Sequence, residues 1–178
     1  MIKMYSLKNY CYQYTVDDWA NKKAIIKKWL NNADFQRDEH QCFLSDRATN
    51  NDSYKKDFSL LFRTEIENFA NELGRQVKLK NLWMVKYEKE DWHPPHTHGS
   101  TGYSGIMFVE YDDKEHTAPY FIDTVTDSIT DKTHYMVPIV FEGDIIILRS
   151  NILHFTYPNK SDKERIILGF DIEEITVE

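Results

Sequence analysis

The chain has 178 residues, 41% hydrophobic and 14% aromatic, and a formal net charge of -7. That length suits one domain with a sizeable core, and the negative charge argues against nucleic acid as a partner. No apolar run reaches the roughly 20 residues that span a bilayer, and the opening residues lack the apolar stretch of a secretion signal, so no membrane association and a cytoplasmic location are expected. The two cysteines, Cys11 and Cys42, lack the spacing of a zinc or redox pair. They read as ordinary thiols of a reducing compartment, with a disulfide between them as the alternative.

Residues Met4 to Tyr14 are tyrosine-rich with rough alternation, which predicts an early strand. Thr15 to Trp19 supplies polar capping groups for a helix running to about Asn31, with Trp19, Ala20, Ala24, Ile25 and Leu30 as its apolar members. From Ala33 to Ser53 the chain is polar. Its Ser, Asn and Asp side chains compete for backbone hydrogen bonds and predict a long surface loop. A second helix carries Phe58, Phe62, Ile66, Phe69 and Leu73 at helical spacing and stops at Gly74. That stripe reads as core rather than as a ligand box.

Beyond Val77 the pattern turns to eight short β-rich runs, at 82–87, 104–111, 120–122, 135–137, 139–141, 145–148, 155–157 and 165–170. Turn chemistry at Asp112 to Glu115, Glu142 to Asp144 and Pro158 to Asp162 separates some of them. Eight short strands fit two facing sheets, a jelly roll or related barrel with the helices packed outside. The chain therefore reads as a single domain over 1–178. Residues 1–76 form mostly helical support with an early strand and a long loop, and 77–178 form the mainly β core.

The chemistry concentrates in His93-Pro94-Pro95-His96-Thr97-His98, answered downstream by Gly143-Asp144, His154 and Arg165. Alternation along a strand places His96 and His98 on one face, and a third imidazole from a distant strand could close a metal site with open positions. Neutral imidazoles supply such a site without burying charge. The competing reading is a chance cluster of surface histidines. His93 points elsewhere if the prolines are extended, and is read as a rim residue. Arg165 lies in an otherwise apolar strand, where an unpaired guanidinium is expensive, so a nearby carboxylate side chain or a bound carboxylate should meet it. His40, His116 and His134 fall in polar, turn-rich surroundings and read as surface residues. Tyr87, Tyr103 and Trp83 read first as core.

This set resembles the iron and 2-oxoglutarate-dependent oxygenases built on a double-stranded β-helix, which use a His-X-Asp or Glu pair, a distal His and a downstream Arg or Lys. More narrowly, the run from His96-Thr97-His98-Gly99-Ser100 to Val109 is similar to a microbial and phage subfamily with His-X-His, a small polar stretch, Ser-Gly and an aromatic strand. Trp83 ahead of the histidines, Gly143-Asp144 leading to His154, and Arg165 to Phe170-Asp171 near the end, where the subfamily closes near Phe-Asn, extend the resemblance over roughly residues 34 to 172. It implies that Fe(II) is held by His96, His98 and His154, with His98 in place of the usual carboxylate. Arg165 would bind the distal carboxylate of 2-oxoglutarate, with Tyr87 or Tyr103 as further co-substrate contacts. Asp123 is an alternative carboxylate ligand. Val85 and Ile167 depart from polar residues common in related enzymes.

The implied activity is that of a dioxygenase, a hydroxylase acting with O2 on a C–H bond of a peptide or small molecule, in the host cytoplasm if phage-encoded; a homodimer is compatible with it. The alternatives are a cupin-like three-histidine enzyme that does not use 2-oxoglutarate and a non-catalytic jelly-roll binding protein. The loop at 33–53 and the turns at 112–117 and 124–133 would rim the pocket.

Overall fold

Side chains alternate between the two faces of a strand, so the apolar residues of a sheet covered on both sides divide into two cores. The computed structural model describes residues 11–49, 54–127 and 132–175, with the backbone alone at 123–127 and 132, and shows this division. The elements are β1 (Tyr12–Thr15), α1 (Trp19–Asn32), β2 (Gln36–Arg37), β3 (Leu44–Ser45), α2 (Lys55–Leu61), α3 (Arg63–Leu73), β4 (Val77–Tyr87), β5 (His93–His96), β6 (Tyr103–Glu110), β7 (Tyr120–Asp127), β8 (Lys132–Met136), β9 (Asp144–Arg149), β10 (His154–Thr156) and β11 (Arg165–Glu174). They form a seven-stranded sheet, β1-β9-β6-β11-β4-β3-β2, and a four-stranded sheet, β5-β10-β7-β8, with antiparallel pairing throughout. This is the mainly β jelly-roll architecture with supporting helices; neither sheet closes into a barrel.

One core lies between the helices and the large sheet. Ile26, Phe58, Phe62 and Phe69 pack there on Leu82, Met84, Met107, Ile145, Ile147, Leu168 and Phe170. The other lies on the opposite face of the large sheet, where Trp83, Val85, Tyr87, Phe108, Ile146, Leu148 and Ile167 meet Phe121, Val140 and Ile152. Neighbouring residues of β4, β9 and β11 thus serve opposite cores, as period-two alternation requires. Burying one of these side chains fully is worth about 1.5–3 kcal/mol, so both cores oppose any slip of the register.

Several boundaries differ from the sequence reading. The second helix divides at Phe62, whose backbone (φ -111, ψ 26) leaves the helical region. The bend seats Phe58 and Phe62 together in the core with ring centroids 4.7 Å apart. Gly74 ends α3 in the left-handed region, its N–H donating to Ala70 and Asn71 carbonyls. The expected loop at 33–53 contains the β2–β3 hairpin, which joins the large sheet through β4; its residues 50–53 lie outside the described residues. The run 139–141 forms no strand, and Ile139 and Phe141 are exposed. Of the early strand only Tyr12–Thr15 is described, since residues 1–10 lie outside. Cys11 and Cys42 are free thiols. Among the described residues no helix is long and apolar enough to cross a membrane.

Candidate active site

The β5–β10 pairing sets His154 directly opposite His96, with ring centroids 4.2 Å apart. His98 stands two residues past the end of β5, so strand alternation does not place it. Its backbone N–H donates to the Ser150 carbonyl at 2.8 Å, and its ring stacks between Trp83 at 5.4 Å and His154 at 5.2 Å. His96, His98 and His154 each bring a ring nitrogen within 4.8 Å of the others.

Carbonyl oxygens can only accept, and this fixes two of the tautomers. His96 Nδ1 donates to the Pro94 carbonyl at 2.8 Å and His154 Nδ1 to the Ile152 carbonyl at 3.0 Å, which leaves Nε2 as the lone-pair nitrogen on both. His98 Nδ1 is buried and makes no well-aligned hydrogen bond, but faces Asp171 Oδ1 at 3.3 Å. Burial, reinforced by the neighbouring imidazoles, pulls His96 down to about 4 and His154 to about 3 despite their carbonyl partners. The rings are therefore neutral at physiological pH. These two neutral imidazoles, joined by the His98 ring, form a donor set that fits a divalent transition metal such as Fe(II).

Register also accounts for Asp171. In β11 it pairs with Asn81 of β4 on one side and Ser104 of β6 on the other. Asn81 Nδ2 and Ser104 Oγ donate to it at 2.9 Å each, and Ser104 Oγ also meets Ser150 Oγ at 2.8 Å. Burial pushes this carboxyl up, but the facing His98 ring and the hydrogen bonds from Asn81 and Ser104 outweigh it and leave Asp171 below the usual range, hence ionised. The sequence reading missed this residue. Its place two strand positions from Gly169, on the face turned toward Trp83, was the available signal.

Arg165 enters the same pocket from the other end of β11. It is 2% exposed, donates to the Thr117 carbonyl at 2.7 Å and Thr156 Oγ1 at 2.9 Å, and lies 4.1 Å over the Tyr87 ring. Among the described residues no Asp or Glu pairs with it. A guanidinium carries five N–H donors, and Arg165 lines a cavity walled also by Val85, Phe108, Ile167 and the three histidines. Tyr87 is fully buried, and its hydroxyl shares a 2.7 Å hydrogen bond with His93 Nδ1. His93 in turn stacks on His96 at 4.1 Å and on Phe43 at 4.1 Å. Arg47, which sequence reasoning also passed over, sits 4.4 Å over the Trp83 indole.

Two expectations need correction. Tyr103 does not reach the pocket. As an odd-numbered residue of β6 it faces the helices, in edge contact with Phe69 at 5.0 Å. His116 is not a surface residue but is 7% exposed. Its Nδ1 accepts from the Asp112 N–H at 3.0 Å and its Nε2 donates to the Lys163 carbonyl at 3.1 Å, the reverse of the tautomer in the cluster and a purely structural use. His40 and His134 are exposed as expected. The Asp123 side chain lies outside the described residues.

A protein-family model described as "Putative 2OG-Fe(II) oxygenase" matches residues 81–171, just over half of the chain. Comparison with curated proteins finds no match. Among solved structures, the non-haem alpha-ketoglutarate-dependent epimerase SnoN from nogalamycin biosynthesis superposes with TM-score 0.70 at 13% identity, covering 92% of this chain and 77% of its own. An oxidoreductase of the 2OG-Fe(II) oxygenase family from Burkholderia pseudomallei gives 0.69 at 10% identity, covering 92% and 84%. HygX from Streptomyces hygroscopicus, with nickel, 2-oxoglutarate and hygromycin B bound, gives 0.66 at 9% identity, covering 91% and 82%. At these identities the likeness shows a common fold.

Proposed function

We propose a reaction from one premise: this chain belongs to the 2OG-Fe(II) oxygenase family, whose members act with Fe(II), 2-oxoglutarate and O2. His96, His98 and His154 hold the iron through Nε2, Arg165 grips the distal carboxylate of 2-oxoglutarate, and the outcome is hydroxylation of a C–H bond on a small molecule. An iron bound there would activate O2, the oxidant, one of whose oxygen atoms would end in the succinate formed as 2-oxoglutarate loses CO2 and the other in the hydroxylated substrate. The chain's part is to orient and to exclude water. Thr117 and Thr156 fix the guanidinium in one pose, Tyr87 backs its face, and Val85, Phe108 and Ile167 keep the cavity dry, which strengthens the carboxylate pairing. The Pro94 and Ile152 carbonyls keep the protons of His96 and His154 on Nδ1.

The observation that carries this reading is Arg165, a buried cation without a carboxylate partner among the described residues that shares a cavity with His96, His98 and His154. Small-molecule substrates are supported by solved relatives in fold that hold hygromycin B and nogalamycin RO; a peptide remains the alternative substrate. Anaerobic titration of the Fe(II) protein with 2-oxoglutarate tests the assignment. A visible metal-to-ligand charge-transfer band is expected for the wild type, with a much weakened titration for Arg165→Ala. Metal binding without the band, or a titration indifferent to Arg165→Ala, would instead favour a three-histidine enzyme that uses no 2-oxoglutarate.

A further inference from the structure

We propose that Asp171 is a positioning residue for the metal site, which acts through His98 to return the negative charge that a third imidazole withholds. The inference rests on the three-histidine reading above. A ligand set of two histidines and a carboxylate places one negative charge on the metal; three neutral imidazoles place none. In this protein a carboxylate stands directly behind the imidazole that occupies the carboxylate's place.

The geometry is specific. Asp171 is 8% exposed and, among the described residues, no Lys or Arg pairs with it. Its partners are the neutral donors Asn81 and Ser104, both fixed by strand register, and its Oδ1 faces His98 Nδ1 at 3.3 Å. His98 Nδ1 is itself buried and has no other partner among the described residues. A carboxylate can only accept, so this pairing places the His98 proton on Nδ1 and frees Nε2, the same tautomer that backbone carbonyls impose on His96 and His154. The difference lies in charge. A carbonyl orients an imidazole, whereas a carboxylate also makes it a more basic ligand. Of the three rings, only His98 is backed by an anion, and an anion buried without a cation is itself costly unless a positive charge is nearby. The metal supplies that charge through the ring.

The test is a double-mutant cycle on the full chain, reading Co(II) affinity and the ligand-field absorption of the Co(II) protein, with thermal melting of the metal-free protein as the fold control. Asp171→Asn keeps an acceptor for His98 but removes the charge. It should weaken Co(II) binding about tenfold and shift the ligand-field bands while the metal-free melting temperature holds. In a His98→Asp background, which places a carboxylate on the metal directly, the same substitution should cause no loss or a gain, because two facing carboxylates repel. A merely structural Asp171 would weaken both backgrounds alike, and that result, or an unchanged affinity in the His98 protein, overturns the proposal. If Asp171→Asn does not fold, Ser104→Ala, which frees Asp171 Oδ1, should lose affinity with His98 present and lose none in the His98→Asp background; equal effects overturn it. A wild-type chain that binds no Co(II) refutes the metal site itself, whereas a wild type that binds while Asp171→Asn binds equally refutes only this role.

Discussion

Arg165 and Asp171 lie on the same face of β11, with Ile167 and Gly169 between them, roughly 20 Å of strand apart. Both are buried, and among the described residues Arg165 has no carboxylate partner and Asp171 no lysine or arginine. One strand thus carries a buried cation in the wall of the histidine cavity and, outside that cavity and behind His98, a buried anion. Such an arrangement is expensive by itself, and on the function proposed above a dianionic co-substrate and a divalent metal would offset the two charges.

That expense predicts a trade between stability and binding at Arg165. Replacing it with Met removes a buried, unpaired charge while keeping most of the volume. The metal-free protein should be as stable as the wild type or more so in urea unfolding. Affinity for 2-oxoglutarate should fall by about two orders of magnitude, equivalent to about 3 kcal/mol. A clear loss of metal-free stability would show that the guanidinium serves the fold instead.

The pH dependence of the metal-free protein follows from the imidazoles. An imidazole in the unfolded chain titrates near 6.5, whereas burial holds His96 at about 4 and His154 at about 3. Between those values the unfolded chain binds protons that the folded protein refuses, so unfolding free energy rises with pH. Stability is full above about pH 6.5 and declines as pH falls toward 4. At pH 5 the deficit relative to pH 7 should be about 4 kcal/mol, about 2 kcal/mol from each ring. Urea titrations at the two pH values measure it, and the same pair on His154→Gln should show a smaller difference.

Gly169 sits opposite Trp83 in the β11–β4 register, where an added Cβ would lie 2.6 Å from the indole. Trp83 stacks on His98 in turn. Gly169→Ala should displace the ring, destabilise the protein by about 1–3 kcal/mol and lower the iron content of purified protein. Calorimetry and metal analysis report the two effects separately; loss of stability at full iron content would uncouple Trp83 from the site.

The histidines should divide by tautomer. His116 accepts at Nδ1 and donates at Nε2 to backbone groups, so His116→Ala should destabilise by about 1–3 kcal/mol with full metal stoichiometry retained. His96→Ala should abolish metal binding and leave the metal-free fold intact or firmer, since it deletes a ring that burial keeps neutral. Fe(II) titration of both variants decides the matter.

The candidate site residues were legible in the sequence because their chemistry is rare in an apolar β pattern. His96, His98, His154 and Arg165 converge on the cavity that their types required. What was not legible follows one physical rule: a strand's facing flips with each residue, and partners across a sheet are distant in the chain. Tyr103 and Ser104 look equally plausible as pocket residues by sequence, yet one packs on Phe69 and the other holds Asp171. His116 sits in a polar run and is nonetheless buried, because backbone groups of two separate loops satisfy both its nitrogens.

By itself, the chain's order of residues determined the mainly β architecture, the helical stripe that covers it and the identity of the candidate metal-binding and anion-binding groups, since hydrophobic periodicity and donor chemistry are local properties. Only the tertiary structure decided that His154 opposes His96, that His98 is set by a bond to Ser150 instead of by its strand, and that Asp171 stands behind it. Those relations depend on register between strands tens of residues apart, which no local pattern encodes.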